Sequence, residues 1–515
     1  MRSPSLPVMV VGCASFAALA IAALAIAAAA PTPPHSPTVV TKSPQLVVAS
    51  GCDRPPTETR GRIFHIDPAR GSEHGDGSAG HPWRTLAEVM KRRQPEFRAG
   101  DRLLLASGEH GGARITQENS GFVTIAAAPG AKPQIDGFMI TDGAAHWIFE
   151  GLNIQYPKEG KRVAIGGGAK NIIFDHNHIS SADDVRHWTP EDWAKKGGGA
   201  FRLDERGGTR CITITNNDIR NVTNPVDLFS SDVLFEGNKI DHFGGDAIDY
   251  SGDNLVISHN MLTNAVGTGT GQHIDGMQGF TPGGPGRSRR PYNHVTIDGN
   301  VLIRQTDPNL PFPVDMQGIS AFDDDWNNLT VINNIIVTNT YSGINFSSVH
   351  HGLIANNTVV SDEFKTVNVQ PGGAKPLIMT GELVFITVGN KTHQGSPSND
   401  VVLRNNISQS IMLAAQPGAI QVDHNTVYFR WMLRPPLVAR AVNDVGRLGK
   451  NNRIDRNIVK GFVAFDPKTL TFNLHLRALS PAIGAGSDDR APAHDADGVT
   501  RKPPIDLGAY AYVAS

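Results

Sequence analysis

Residues 233–240 read VLFEGNKI and residues 255–262 read LVISHNML. Each is a run of β-prone apolar residues, then an asparagine, then an aliphatic residue one or two places on. The same pattern recurs as IIFDHNHI (172–179), ITITNNDI (212–219), VTIDGNVL (295–302), LTVINNII (329–336), GLIANNTV (352–359), VVLRNNIS (401–408), IQVDHNTV (420–427) and NRIDRNIV (452–459). The recurring residues are Asn177, Asn217, Asn238, Asn260, Asn300, Asn334, Asn357, Asn406, Asn425 and Asn457. A short strand plus a turn at a near-fixed period is the signature of a solenoid. An Asn buried at one turn bonds to its own backbone and tolerates a left-handed conformation, so a stack of such turns predicts an amide ladder.

Composition agrees. The 515 residues include 54 glycines, and aromatics make up only 7%. That favours many short strands with tight turns over a helical bundle. The net charge of -2 gives no global field for nucleic acid or an anionic membrane. No P-loop, dinucleotide fingerprint or zinc-ligand spacing is present. Residues 1–30 read as a signal peptide or N-terminal anchor, because the apolar run from Val8 to Ala30 follows Arg2 and precedes PTPP. Export to the periplasm or medium is the expectation, with anchoring as the alternative. Residues 31–60 read as a Pro-rich linker. Two cysteines remain beyond the leader, Cys52 and Cys211, and the sequence leaves open whether they pair.

The intervals between ladder residues divide into two sets. Asn217 to Asn238 is 21 residues, Asn238 to Asn260 is 22, Asn334 to Asn357 is 23 and Asn406 to Asn425 is 19. These are bare coils. Asn177 to Asn217 is 40, Asn260 to Asn300 is 40, Asn300 to Asn334 is 34 and Asn357 to Asn406 is 49, so these coils carry insertions. Insertions in repeat folds gather on one face, often the binding face. The expected result is a groove floored by the coils between Asn217 and Asn260 and walled by long loops. Trp188, Trp193 and Trp326 fall in these loops, where flat rings suit the apolar faces of sugars or pack the loop onto the barrel. Arg186, Lys195, Lys196, Arg287, Arg289 and Arg290 make two of the loops locally basic, as an anionic polymer would need.

A second strand precedes each ladder segment. Aligning these strands gives the pairs Leu203-Asp204, Val226-Asp227, Ile248-Asp249, Met277-Gln278, Met316-Gln317 and Ile344-Asn345, the first of each pair pointing in and the second out. Asp227 precedes Val233 by six residues, as Asp249 precedes Leu255, and Met277-Gln278-Gly279 recurs as Met316-Gln317-Gly318. Asp204, Asp227 and Asp249 are therefore expected to stand one above another. Such repulsion calls for a cation, a shared proton or a neighbouring arginine such as Arg202 or Arg206. With Asp275, the oxygen-only set of Asp204, Asp227 and Asp249 favours a hard cation, Ca²⁺ above others. His273, where an insertion rejoins the coil, is the first candidate for proton transfer.

The stretch GSEHGDGSAGHPWRTL (71–86), the Asn ladder and the ending LSPAIGAGSDDR…DLGAYAY resemble bacterial right-handed parallel β-helix proteins of the pectate-lyase-like superfamily. The resemblance covers roughly 61–512. It implies an all-β right-handed parallel β-helix of about ten or more coils, with an N-terminal cap at 61–110 holding a capping helix (Leu86 to Arg93) and a C-terminal cap at 470–512. It also implies action on an anionic polysaccharide, as a lyase, a hydrolase, a uronate C5-epimerase or a non-catalytic surface binder. The Asn-Thr-Asp, Asp-Asp and Gly-His-Gly set of polygalacturonase-type hydrolases is missing. On the lyase expectation, His273, Arg206 and Asp249 are the catalytic set. Gln278, Gln317, Asn345, Arg202, Trp188 and Trp326 bind substrate. Asp204, Asp227, Asp249 and Asp275 hold the metal.

Overall fold

The structure is a computed structural model that describes residues 48–49, 51–56, 61–92, 96–155, 160–268, 274–282, 290–322, 324–362, 366–367, 377–378, 383–390, 396–414, 419–433, 440–442 and 449–514. The N-terminal apolar run, His273, Arg287, Arg289 and Asp323 lie outside these residues.

Almost every strand pairs in parallel with the strand one coil away, which makes the protein a parallel β-helix. Each coil passes through three sheets in turn. Sheet 1 holds the ladder-leading strands, such as Arg210–Thr215, Ser231–Glu236 and Leu255–Ser258. Sheet 2 follows the ladder turn, with Asp218–Thr223, Lys239–Gly244 and Met261–Ala265. Sheet 3 closes the coil, with Gly199–Asp204, Val226–Phe229, Ile248–Ser251, Ile274–Gly279, Met316–Ala321 and Ile344–Ser347. Sheets 2 and 3 merge near the C-terminal end, where Ile407–Ala414 turns the corner through a register shift between Ser408 and Ser410.

The interior is built of stacked columns, because residues alternate in and out along each strand. In sheet 1, Trp147, Ile172, Ile212, Val233 and Leu255 form one column, and Phe149, Phe174, Ile214, Phe235 and Ile257 another. All are buried, and Phe149 and Phe174 stack at 4.3 Å. Each such side chain contributes about 1.5–3 kcal/mol on leaving water.

The amide ladder is present. Asn217 Nδ2 donates to Asn238 Oδ1 at 2.9 Å, and Asn238 Nδ2 donates to Asn260 Oδ1 at 3.1 Å. The chain of bonds continues through Asn300, Asn334, Asn357, Asn406 and Asn425. Two corrections follow. The last rung is Asn452, which takes the Nδ2 proton of Asn425, whereas Asn457 caps a short 3₁₀ turn. The left-handed residue is also not the ladder Asn but the one before it. His176, Asn216, Gly237, His259, Gly299, Asn333, Asn356, Asn405, His424 and Asn451 all have φ between 53° and 67°. Asn, His and Gly are the residues that tolerate this region at least cost.

A helix covers the N-terminal end, and a C-terminal segment lies along one side. The helix Leu86–Arg92 buries Leu86 and Val89 against the first coils. At the other end, residues 477–512 run back along the ladder edge. Asn405 Nδ2 donates to Ser487 O, Asn356 Nδ2 to Asp506 O and Asn333 Nδ2 to His494 O. The same segment and the strand before it, Thr471–Leu476, bury the outer face of late sheet 2 strands, where Ile335, Val337, Val360 and Ile407 cluster with Leu474, Leu507 and Tyr510. On sheet 1, Val48 packs against Phe122, Ile148 and Ile173, and Cys52 forms a disulfide with Cys211.

Candidate functional site

The insertions emerge at the two corners that flank sheet 3. Residues 181–198 and 304–315 lie between strands of sheet 2 and sheet 3, and the described residues 280–282, 290–291, 322 and 324–325 lie between strands of sheet 3 and sheet 1. Insertions therefore border sheet 3 on both sides, as the walls of a trough would.

One wall is rigid for identifiable reasons. The helix Pro190–Lys196 starts with a capping box between Thr189 and Asp192. Its Trp193 is fully buried with Val185, Val266 and Leu310, so the 181–198 and 304–315 insertions share a small core. The loop-packing role thus holds for Trp193. Buried Arg162 fixes the base of the first insertion by donating to Gly199 O and Ser181 Oγ, both at 2.9 Å, and burial lowers its pKa to about 10. Asn264 Oδ1 fixes the second by accepting the Thr306 and Asp307 backbone N–H groups at 2.8 and 2.9 Å.

The outward column of the floor reads Arg202, Asp227, Asp249, Gln278, Ser320 and Asn345 on six successive coils. Their inward neighbours Phe201, Val226, Ile248, Met277, Ile319 and Ile344 line the core, which fixes the outward direction. The expected stacking of Asp227, Asp249, Gln278 and Asn345 is present. Two expected members are displaced. Asp204 pairs in register with Phe229, two residues past the column, and Arg202 takes its place. Gln317 pairs with Asp275, because the two Met-Gln-Gly triplets are offset by three residues in register.

The column has its own charge compensation. Arg202 Nη1 lies 3.8 Å from Asp227 Oδ2, and the arginine side chain is half exposed. Asp227 and Asp249 are nearly covered, at 6% and 7% exposure, and Asp275 is fully covered. The expectation of exposed stacked acids is corrected accordingly. Gln278 and Asn345 stay partly open.

Other assignments change. Arg206 is exposed and holds Asp204 in a short turn, with Nε at 2.8–2.9 Å from both carboxylate oxygens. That hydrogen bond raises the Arg206 pKa and lowers that of Asp204, so Arg206 stays charged and away from the column. Trp326 is fully buried in the core between Tyr250 and Tyr292, out of reach of a sugar. Trp188 is half-buried, edge-on to Trp193 at 5.3 Å. Among the described residues no group of three or more His, Cys, Asp or Glu side chains is arranged for a metal ion. Asp204 and Asp227 do not share a site, so Asp204, Asp227, Asp249 and Asp275 do not form a four-carboxylate cage.

No family model matches the sequence, and no curated protein matches it. Solved structures similar to the chain include three lyases. Pectate lyase Pel9A is 14% identical, with 90% of this chain and 98% of that one covered and a TM-score of 0.37. A rhamnogalacturonan lyase is 13% identical, covering 83% and 97%, at 0.37. The PL6 family polysaccharide lyase Pedsa3628 from Pseudopedobacter saltans is 14% identical, covering 76% and 95%, at 0.39. At such identities the activity of this chain has to come from its own residues.

Proposed function

We propose that the protein is an exported enzyme that cleaves a uronate-containing polysaccharide by β-elimination, with the chain lying along sheet 3. The observation that carries this reading is the column itself: a cation at Arg202, carboxylates at Asp227 and Asp249 and amides at Gln278 and Asn345, in one line on a walled floor. Parallel coils are about 4.8 Å apart, and Arg202, Gln278 and Asn345 are the members of the column open to an extended polymer, while Asp227, Asp249 and Ser320 lie covered between them.

In this reaction the proton on C5 of the uronate is removed, the electron pair forms the C4–C5 double bond, and the 4-O-glycosidic bond breaks with its oxygen as leaving group. Neutralising the uronate carboxylate makes the C5 proton more acidic. Arg202 is the accessible cation of the column and takes that role. Asp227 and Asp249 orient Arg202 and the floor amides, and Gln278 and Asn345 bind sugar hydroxyls. His273 directly precedes the strand Ile274–Gly279 in the chain and is assigned as proton acceptor. The displaced Asp204 does not fit a Ca²⁺ cage, and no step is routed through a metal.

The direct test incubates the protein with polygalacturonate, alginate and hyaluronan, with and without chelator. Ultraviolet absorbance of the unsaturated product and chain length are followed together. We expect absorbance to rise as length falls, and Arg202→Ala and His273→Ala each to lower kcat by about a hundredfold or more, the usual weight of a lost electrostatic or proton-transfer group. Cleavage without absorbance would replace elimination by hydrolysis. One observation favours that second reading: Asp227 and Asp249 are register partners on neighbouring coils, near the roughly 5 Å carboxyl spacing of retaining glycosidases.

A further inference from the structure

Around the corner from the floor, on the outer face of sheet 2, lies a cavity of about 500 Å³. The two insertions that wall the trough also bound this cavity, Asp183, Asp184 and Arg186 from one and Asp307 and Asn309 from the other. Arg220 and His242 come from neighbouring sheet 2 strands. The function proposed above uses none of these residues.

The lining mixes donors and acceptors. His242 bridges two carboxylates, with Nδ1 at 3.0 Å from Asp241 and Nε2 at 3.5 Å from Asp307. Asp241 also accepts from Thr263 Oγ1 at 2.8 Å and Asn264 Nδ2 at 2.7 Å. These groups are satisfied within the protein and hold the cavity in shape. Two others are not used up. Arg220 gives its Nε to Asp218 at 2.7 Å, and its two terminal nitrogens make no hydrogen bond to a described residue. The side-chain amide of exposed Asn309 makes none either. Each insertion also gives the cavity one apolar residue, Val185 from the first and Pro311 from the second.

We infer that this cavity is a second carbohydrate site, which takes a neutral sugar unit through its hydroxyls. Four carboxylates line it against two guanidiniums and His242, which disfavours an anionic ligand and suits groups that donate and accept at once. Arg220 and Asn309 bind vicinal hydroxyls, and the apolar walls receive the ring face. Because both insertions also wall the trough, a polymer held here is kept beside sheet 3. The inference shares with the proposed function only the premise that the ligand is a carbohydrate.

Affinity electrophoresis of the full chain through gels containing xylan, galactan, polygalacturonate or alginate tests it. Wild-type protein is expected to be retarded in at least one neutral gel. Arg220→Met should weaken that retention by about tenfold or more, the weight of a charge-assisted hydrogen bond, and Asn309→Ala by a few-fold. Asn309 is an exposed loop residue, so its variant reports even if Arg220→Met fails to fold. Asp227→Asn should keep the retention while losing cleavage. Retention of both cavity variants at the wild-type level, or no retardation of wild type in any neutral gel, overturns the inference. Cavity-dependent retention in a protein that cleaves nothing would uphold it while refuting the lyase reading.

Discussion

Asn238 shows what one residue does in this fold. Its Oδ1 accepts from Asn217 N and Nδ2, both at 2.9 Å, and its Nδ2 donates to Ile214 O at 2.9 Å. Asn238→Ala strands a buried N–H and a buried carbonyl at once, which should cost about 3 kcal/mol or more in urea unfolding. The neighbour Gly237, at φ 67°, behaves differently. Gly237→Asn should be tolerated, since Asn holds the same place at Asn216 and Asn333, whereas Gly237→Val should cost at least about 1–2 kcal/mol from left-handed strain. The ladder was legible because its chemistry is local: only Gly, Asn and His precede its asparagines in the regular coils. Asn457 misled because NRIDRNIV mimics the motif, while the true rung is Asn452, within the adjacent Lys450-Asn451-Asn452.

At the scale of elements, register was readable only where the coil is bare. Asp227 and Asp249 each precede the next sheet 1 strand by six residues, and both fall in the column. Before Ile212 the turn is longer, so the column residue Arg202 lies ten places back rather than six; the pair Leu203-Asp204 mimicked Val226-Asp227, and Arg202 was read as a flanking cation instead of a column member. Gln317 failed for a similar reason, since a repeated triplet outweighed the true pairing of Met277 with Ile319. Trp326 was read as a loop residue because it falls in the long interval between Asn300 and Asn334, yet it lies on a short strand of sheet 1.

The insertion at 304–315 carries a pH-sensitive anchor. The hydrogen bond to Asp241 raises the His242 pKa above its ordinary value, against the opposing effect of burial, and Asp307 adds to the rise. A raised folded-state pKa means that this contribution is complete below the unfolded value near 6.5 and fades as pH rises through the higher folded value. Protection factors within 304–315, with the base-catalysed intrinsic exchange rate divided out, should therefore fall on going from pH 6 to pH 9. His242→Gln should remove most of that dependence. An equal pH response in both proteins would show that the anchor is not His242.

For the whole molecule, the disulfide joins residues 159 apart in the chain and ties the first described segment to a middle coil. Removing such a cross-link costs about 2–5 kcal/mol, so the Cys52→Ser, Cys211→Ser double variant should unfold at lower temperature than the oxidised protein. The same variant should keep its cleavage rate, because Cys211 stands on sheet 1 and the column on sheet 3. No pairing rule in the sequence foretold this bond, since the two positions meet only when the barrel is wound.

The returning C-terminal segment sets a rule for changing the length of the barrel. It staples Asn333, Asn356 and Asn405 at fixed heights. A designed extra rung spliced between Asn333 and Asn405 would move those heights apart by about 4.8 Å and unzip the staple. A rung spliced just after Asn238 lies clear of both the staple and the cysteine cross-link, so it should leave both in place and instead draw Trp193 off Leu310, parting the two insertions that share that small core.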